Sequence, residues 1–159
     1  MRIIALDVGT KRIGVAFADT SVRIAVPRAM IPVDGNEFAE IAKRCRLDKA
    51  NLIVSGFPRN NQGEETAQTG TVKDFIAKLQ NFFSEQGIEL PIRFQDETLT
   101  SVAAEQYLTA NSHEFSRADR ATGKLDSEAA AIILEDFMNT ANLIQLEEEL
   151  AHGEQRDEH

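Results

Sequence analysis

Short apolar runs separated by turn residues open the chain and predict β-strands. The runs are Arg2 to Leu6, Ile13 to Ala18 and Val22 to Met30. The few residues between the first two runs suit a hairpin. Pro27 interrupts the third run and places it at an edge or a strand end, because proline cannot donate a ladder hydrogen bond. The sequence therefore opens with three predicted antiparallel strands.

After residue 35 the pattern alternates between helical periodicity and two further apolar runs. Apolar residues recur at helical spacing from Glu37, in a longer segment that Gly87 closes, and from Asp126 to Asn139. The runs Leu52 to Val54 and Pro91 to Gln95 predict strands between these helices. We also expect a helix from Thr98 or Thr100 to about Thr109, capped by the threonine hydroxyl. Asn111 to Gly123 is polar and weakly patterned, which predicts a loop.

This order of elements predicts an α/β fold. Three antiparallel strands followed by α/β units imply a mixed five-stranded sheet with helices on both faces. An RNase H-like domain fits the order better than a doubly wound Rossmann fold, in which a helix would follow the first strand. We expect this domain over residues 1–140. Residues 141–159 are expected to form a short helix near Leu143 to Leu150 and an acidic, disordered tail.

Composition narrows the possible partners. The 159 residues carry a formal net charge of −9, but residues 1–60 carry +4, residues 61–146 carry −8 and the remainder carry −5. A basic face can therefore still attract nucleic acid. The longest apolar stretch, Ala129 to Leu134, is too short to span a membrane. The single cysteine, Cys45, excludes an internal disulfide, and it lies on an apolar helical face. Together these features lead us to expect a cytoplasmic protein without a membrane partner.

Acidic residues at the ends of predicted elements are the candidate chemistry. Asp7 ends the first strand in phase with its apolar residues, Asp96 and Glu97 end a later strand, and Asp126 begins a helix. Carboxylates gathered at one sheet edge repel one another unless they share a cation, and hard oxygen ligands favour Mg²⁺ or Mn²⁺. Strand phase leaves open whether Asp96 or Glu97 faces such a site. Each acid alone would also fit a turn or a helix start.

Four different motifs follow one another over about residues 2–138. They are Leu6 to Ala16, Gly56-Phe57-Pro58 with Gly63, Asp96 to Thr100, and Lys124 to Leu134. With these motifs the chain resembles the YqgF family of bacteria, described as Holliday-junction-resolvase-like proteins and pre-16S rRNA nucleases. The resemblance implies an RNase H-like fold and metal-dependent cleavage of phosphodiester bonds. It also implies a catalytic and metal-ligating triad of Asp7, Glu97 and Asp126. The chain departs from the family in carrying Thr98 where Arg is usual.

We therefore expect a nuclease with two Mg²⁺ or Mn²⁺ ions about 4 Å apart, bridged by Asp7 and completed by Glu97 and Asp126. Four basic residues are expected to bind the nucleic acid backbone: Lys11, Arg12, Arg59 and Lys124. The expected substrate is the 5′ end of pre-16S rRNA during ribosome biogenesis, with ribosomal particles as further partners.

Three alternatives remain open at the level of sequence. Branched DNA could replace RNA as the substrate, as in a Holliday junction resolvase. The chain could instead be a non-catalytic RNA-binding or ribosome-associated factor that retains the fold. Asp7-Val8-Gly9-Thr10 also resembles the phosphate loop of actin-like phosphotransferases, although those enzymes bind nucleotide between two such domains. The phenylalanines fall mostly on core stripes, so the sequence predicts no base-stacking platform.

Overall fold

A computed structural model describes residues 1–97, 124–141 and 143–157, with the backbone alone over 124–126 and 153–157. The strands are β1 (Arg2–Val8), β2 (Arg12–Asp19), β3 (Val26–Pro32), β4 (Leu52–Phe57) and β5 (Ile92–Asp96). The helices are α1 (Glu37–Leu47), α2 (Ala67–Glu85), α3 (Lys124–Thr140) and α4 (Leu143–Asp157). The helix predicted from Thr98 or Thr100 and the loop predicted over 111–123 lie outside the described residues.

The five strands form one mixed sheet in the order β3-β2-β1-β4-β5. β1 and β2 pair antiparallel, as do β2 and β3. β4 lies parallel to β1 on one side and to β5 on the other. β1, β2 and β4 are the inner strands, and each has buried side chains on both faces, which explains their continuous apolar runs. The predicted α/β class and the mixed five-stranded sheet are confirmed.

Side chains of β1 alternate between two apolar cores on opposite faces of the sheet. Ile4 and Leu6 pack with the buried residues of α1 and α2. Ile3 and Ala5 pack with the buried residues of α3 and with Leu146 of α4. Helices therefore cover both faces, as predicted. Because side chains alternate along a strand, Asp7 continues the row of Ile3 and Ala5 and lies on the α3 face.

The beginning of α2 is tied to the end of β4. The Thr69 hydroxyl accepts a hydrogen bond from the Thr66 backbone N–H at 2.9 Å and donates one to the Pro58 carbonyl. Thr69 is fully buried, so its bond to the Pro58 carbonyl is shielded from water. This anchor fixes the loop that carries Arg59.

Two element boundaries differ from the sequence prediction. β3 begins at Val26 because residues 20–23 form a turn, in which the Asp19 carbonyl accepts bonds from the N–H groups of Val22 and Arg23 at 3.0 Å. α4 continues to Asp157, well past the predicted end at Leu150. Its Leu146 is buried against the α3 core, so α4 is held by packing as well as by its own hydrogen bonds.

The remaining helical expectations agree with the structure. Ile41, Ala42 and Cys45 form the buried stripe of α1. Burial raises the pKa of the Cys45 thiol to about 12, so the thiol stays protonated and acts as a core side chain. Among the described helices, none is both long and apolar enough to cross a membrane.

Candidate active site

Asp7 lies near the end of β1 and is held in place by the hairpin that follows. It pairs with Gly14 of β2 and is partly buried on the α3 face. The hairpin closes through a bond from the Gly9 N–H to the Arg12 carbonyl at 3.0 Å. A Cβ at Gly9 would lie only 2.5 Å from that carbonyl oxygen, so the tight turn requires glycine. The turn therefore fixes the carboxylate of Asp7 relative to Lys11 and Arg12.

Glu97 follows β5 and lies on the same sheet face as Asp7. Its N–H donates to the Phe57 carbonyl at 3.2 Å, which extends the parallel pairing with β4 by one step. A Cβ at Gly56 would lie 2.6 Å from both Cδ and Oε1 of Glu97, and 2.7 Å from Cδ1 of Ile133. The carboxyl group of Glu97 therefore occupies the space that a side chain at position 56 would fill, between β4 and α3.

The two carboxyl groups influence each other electrostatically. Burial raises the pKa of Glu97 to about 8, and the negative charge of Asp7 adds to this shift. Both causes oppose a second negative charge at this point. Without a cation, Glu97 is therefore mostly protonated at neutral pH. A bound divalent cation would reverse both effects, because it compensates the charge that burial and Asp7 disfavour.

The structure also distinguishes Glu97 from its neighbour Asp96, which strand phase could not do. Asp96 lies on the opposite face, where its Oδ1 accepts a hydrogen bond from Nε of Arg59 at 3.0 Å. Its side chain is 65% exposed and forms an ion pair at the protein surface. Glu97, not Asp96, therefore lies on the sheet face of Asp7.

Asp126 is described only by its backbone, as the third residue of α3. The next residue, Ser127, donates a hydrogen bond to the Arg28 carbonyl at 2.6 Å and lies 3.5 Å from the Val15 N–H. Val15 pairs with Leu6, the residue before Asp7. The start of α3 is therefore held over the sheet beside β1. Among the side chains that the structure describes, no three Asp, Glu, His or Cys residues form a metal site, so a role for the Asp126 carboxylate stays a prediction.

Three of the four predicted backbone-binding residues lie at this edge of the sheet. Lys11 is exposed in the β1–β2 turn and Arg12 begins β2. Arg59 follows β4, where its guanidinium also donates to the Gly63 carbonyl at 3.1 Å. Parallel neighbours end on the same side, so the ends of β1, β4 and β5 bring these cations near Asp7 and Glu97. The Lys124 side chain lies outside the described residues.

Sequence reasoning missed a cluster of aromatic and cationic side chains near Asp96, on the sheet face opposite Glu97. The rings of Phe57 and Phe94 meet edge to face with centroids 5.1 Å apart. The guanidinium of Arg59 lies 4.7 Å from the Phe57 centroid, and Nζ of Lys73 lies 5.4 Å from it. Phe94 meets Phe57 only through the β4–β5 register and Lys73 belongs to α2, so no local sequence pattern could have shown the whole cluster.

Comparisons with known proteins identify the sequence relatives of the chain. A family model described as "RuvX: Holliday junction resolvase" matches residues 1–140. A relative from Maridesulfovibrio salexigens, named "Putative pre-16S rRNA nuclease", is 36% identical over 144 residues, covering 89% of this chain and all of the relative. A relative of the same name from Chlorobaculum tepidum is 34% identical over 140 residues, covering 87% of this chain and 94% of that protein.

Solved structures share the fold at low sequence identity. Thermus thermophilus RuvC in complex with a Holliday junction substrate is 12% identical, with a TM-score of 0.52 over 89% of this chain and 98% of RuvC. The fowlpox virus resolvase, also solved with Holliday junction DNA, is 15% identical, with a TM-score of 0.50 over 88% of this chain and 98% of the resolvase. These similarities confirm the RNase H-like fold.

Proposed function

We propose that this chain, which belongs to the RuvX (YqgF) family of Holliday junction resolvases, is a metal-dependent nuclease that processes the 5′ end of pre-16S rRNA. The observation that carries the proposal is the meeting of Asp7 and Glu97 on one sheet face, with the Glu97 carboxyl seated over Gly56. The names of the curated relatives, which the chain covers almost completely, favour ribosomal RNA as the substrate.

The donor set fits a hard divalent cation. Both described carboxylates offer oxygen, the ligand atom that Mg²⁺ and Mn²⁺ prefer. The raised pKa of Glu97 has the two causes that a shared cation would remove. Asp7 and Glu97, with Asp126 from the start of α3, are the residues that would hold two such ions. Bound there, the ions would supply Lewis-acid stabilisation of the phosphate and lower the pKa of an attacking water.

The chain's own side chains position the substrate. Lys11 and Arg12 belong to the hairpin that follows Asp7, and Arg59 follows β4 and pairs with Asp96, the residue before Glu97. Contacts from these cations to successive phosphates would orient the scissile bond over the carboxylates. Arg59 must exchange its ion pair with Asp96 for a phosphate, which costs little because exposed pairs contribute only about 0–1 kcal/mol. Lys124, at the start of α3, is the fourth cation of this set.

The test is incubation of the purified protein with Mg²⁺ or Mn²⁺ and a panel of RNA and DNA structures that includes a precursor 16S rRNA fragment. We expect cleavage of the precursor near its mature 5′ end. Asp7→Asn should fold normally, as judged by circular dichroism, and lose cleavage. Asp96→Asn is the matched control and should keep cleavage, because Asp96 faces Arg59 rather than Asp7. Undiminished cleavage by Asp7→Asn would overturn the site.

A second candidate function is resolution of branched DNA. The description of the matching family model favours it. A four-way DNA junction in the same panel separates the two, since a resolvase would cut it symmetrically and leave the RNA precursor intact. Tight RNA binding that needs no Mg²⁺ and leads to no cleavage would indicate a binding factor instead.

A further inference from the structure

Phe94 presents an aromatic ring to solvent close to the proposed catalytic carboxylates. It lies on β5, which is the last strand on its side of the described sheet. Its relative exposure is 44%, whereas Phe57, against which it packs, is 7% exposed. The edge-to-face contact with Phe57 fixes the ring while leaving much of it bare.

Two cations border this aromatic pair. Arg59 and Lys73 both lie over Phe57, at 4.7 Å and 5.4 Å from its ring centroid. Each also has an acidic partner at the surface, Asp96 for Arg59 and Glu65 for Lys73. Such exposed pairs are weak and can open in favour of a phosphate. An exposed aromatic ring beside exchangeable cations is the chemistry that binds single-stranded nucleic acid.

The register relates this cluster to the catalytic carboxylates. Phe94 precedes Glu97 by three residues, which is about 10 Å along a strand. The two side chains lie on opposite sheet faces, because Phe94 shares the face of Phe57 and Glu97 faces α3. An RNA strand that contacts both the Phe94 ring and the Glu97 carboxyl group must cross the edge of the sheet where Arg59 lies. A flexible single strand can make this bend, whereas a stiff duplex cannot present a base face to the ring.

We propose that Phe94 stacks on an unpaired nucleobase of the RNA strand, a short distance from the position of the scissile phosphate at the proposed Asp7 and Glu97 site. Arg59 then contacts the backbone between the base and the scissile bond, and Lys73 contacts it on the far side of Phe57. The inference rests on the proposed nuclease function for its substrate. It specifies that the strand beside the cleavage site is single-stranded.

The test measures binding without cleavage, so that it can succeed or fail independently of the nuclease activity. Fluorescein-labelled single-stranded RNA oligonucleotides, each with one abasic position, are titrated with the protein in EDTA. For the wild type we expect one abasic position to weaken binding about 5- to 150-fold, the usual effect of losing one stacked base. Phe94→Ala should bind the intact oligonucleotide more weakly by a similar factor. Its affinity should no longer depend on whether that position carries a base.

Two variants separate stacking from general packing. Phe94→Trp keeps an aromatic face and should bind as the wild type does, whereas Phe94→Leu keeps apolar volume and should behave like Phe94→Ala. Ile144→Ala, at an exposed apolar residue of α4, is the control and should leave binding unchanged. Duplex RNA should bind equally to wild type and Phe94→Ala, and a single-stranded DNA arm tests whether the sugar matters.

Two results would overturn the proposal. One is wild-type RNA affinity in a folded Phe94→Ala protein, accompanied only by a lower free energy of unfolding, which would make Phe94 a packing residue. The other is an abasic scan with no sensitive position. If Asp7→Asn keeps cleavage while Phe94→Ala loses its abasic response, the nuclease site is wrong and the stacking site stands.

Discussion

Replacing Gly56 by alanine should displace the carboxyl group on which the proposed metal site depends. The added Cβ would lie 2.6 Å from Cδ and Oε1 of Glu97, whereas ordinary contacts begin at 3.4 Å. The Ile133 side chain would also have to move, because its Cδ1 lies only 2.7 Å from the same point. The Glu97 carboxyl must therefore move by roughly 0.8 Å, the difference between clash and contact. Displacements of about 1 Å in an active site can cost on the order of 100-fold in rate.

The assay compares RNA cleavage rate and urea unfolding for the wild type, Gly56→Ala and Gly70→Ala. For Gly56→Ala we expect about 100-fold slower cleavage and a loss of roughly 1–3 kcal/mol in unfolding free energy from overpacking. Gly70 is the matched control, since it lies in α2 and a Cβ there meets nothing within 4 Å. Gly70→Ala should gain roughly 0.5–1 kcal/mol through helix propensity and cleave normally.

A double-mutant cycle shows whether Glu97 is the group displaced. In a Glu97→Ala background the carboxyl is absent, so Gly56→Ala should cost clearly less unfolding free energy than in the wild type. Normal cleavage by Gly56→Ala would refute the reasoning. So would an equal stability cost in both backgrounds, because the clash would then involve other groups.

Three further predictions test the electrostatics of the protein. In EDTA, Glu97→Gln should become more stable than the wild type as pH rises from 4.5 toward 8, because the raised pKa of Glu97 makes its ionisation destabilising. The gain in urea unfolding free energy should reach at most about 4 kcal/mol at pH 7.5, and a gain that does not change with pH would contradict the raised pKa. Cys45 should react with Ellman's reagent at pH 8 only as fast as the protein unfolds, and rapid labelling of folded protein would contradict its burial. Lys11→Ala should reduce the salt dependence of RNA binding by about one phosphate contact, while Lys78→Ala in the second half of α2 should not.

The local pattern of apolar residues was sufficient to predict most of the sheet and the position of Asp7 in the candidate site. The apolar runs of β1 and β4 are continuous because both faces of these strands are buried. The position of Asp7 followed from its phase with Ile3 and Ala5, which the two cores confirm. Periodicity also located α1 and its buried Cys45.

The features that sequence reasoning could not reach depend on long-range register. The choice between Asp96 and Glu97 depends on how β5 pairs with β4, because this pairing places Glu97 over Gly56 and Asp96 beside Arg59. The Phe57–Phe94 contact depends on the same register. The packing of α4 against the α3 core through Leu146 joins residues of two separate helices. None of these pairings leaves a signal within a short window of residues.

Manganese binding tests the central claim most directly, because it asks whether the carboxylates hold a cation before any question of substrate. Electron paramagnetic resonance can measure free Mn²⁺ during titration of the wild type, Glu97→Gln and Asp96→Asn. We expect the wild type and Asp96→Asn to bind Mn²⁺ equally and Glu97→Gln to lose this binding. Equal binding by Glu97→Gln and the wild type, or loss of binding in Asp96→Asn alone, would contradict this expectation.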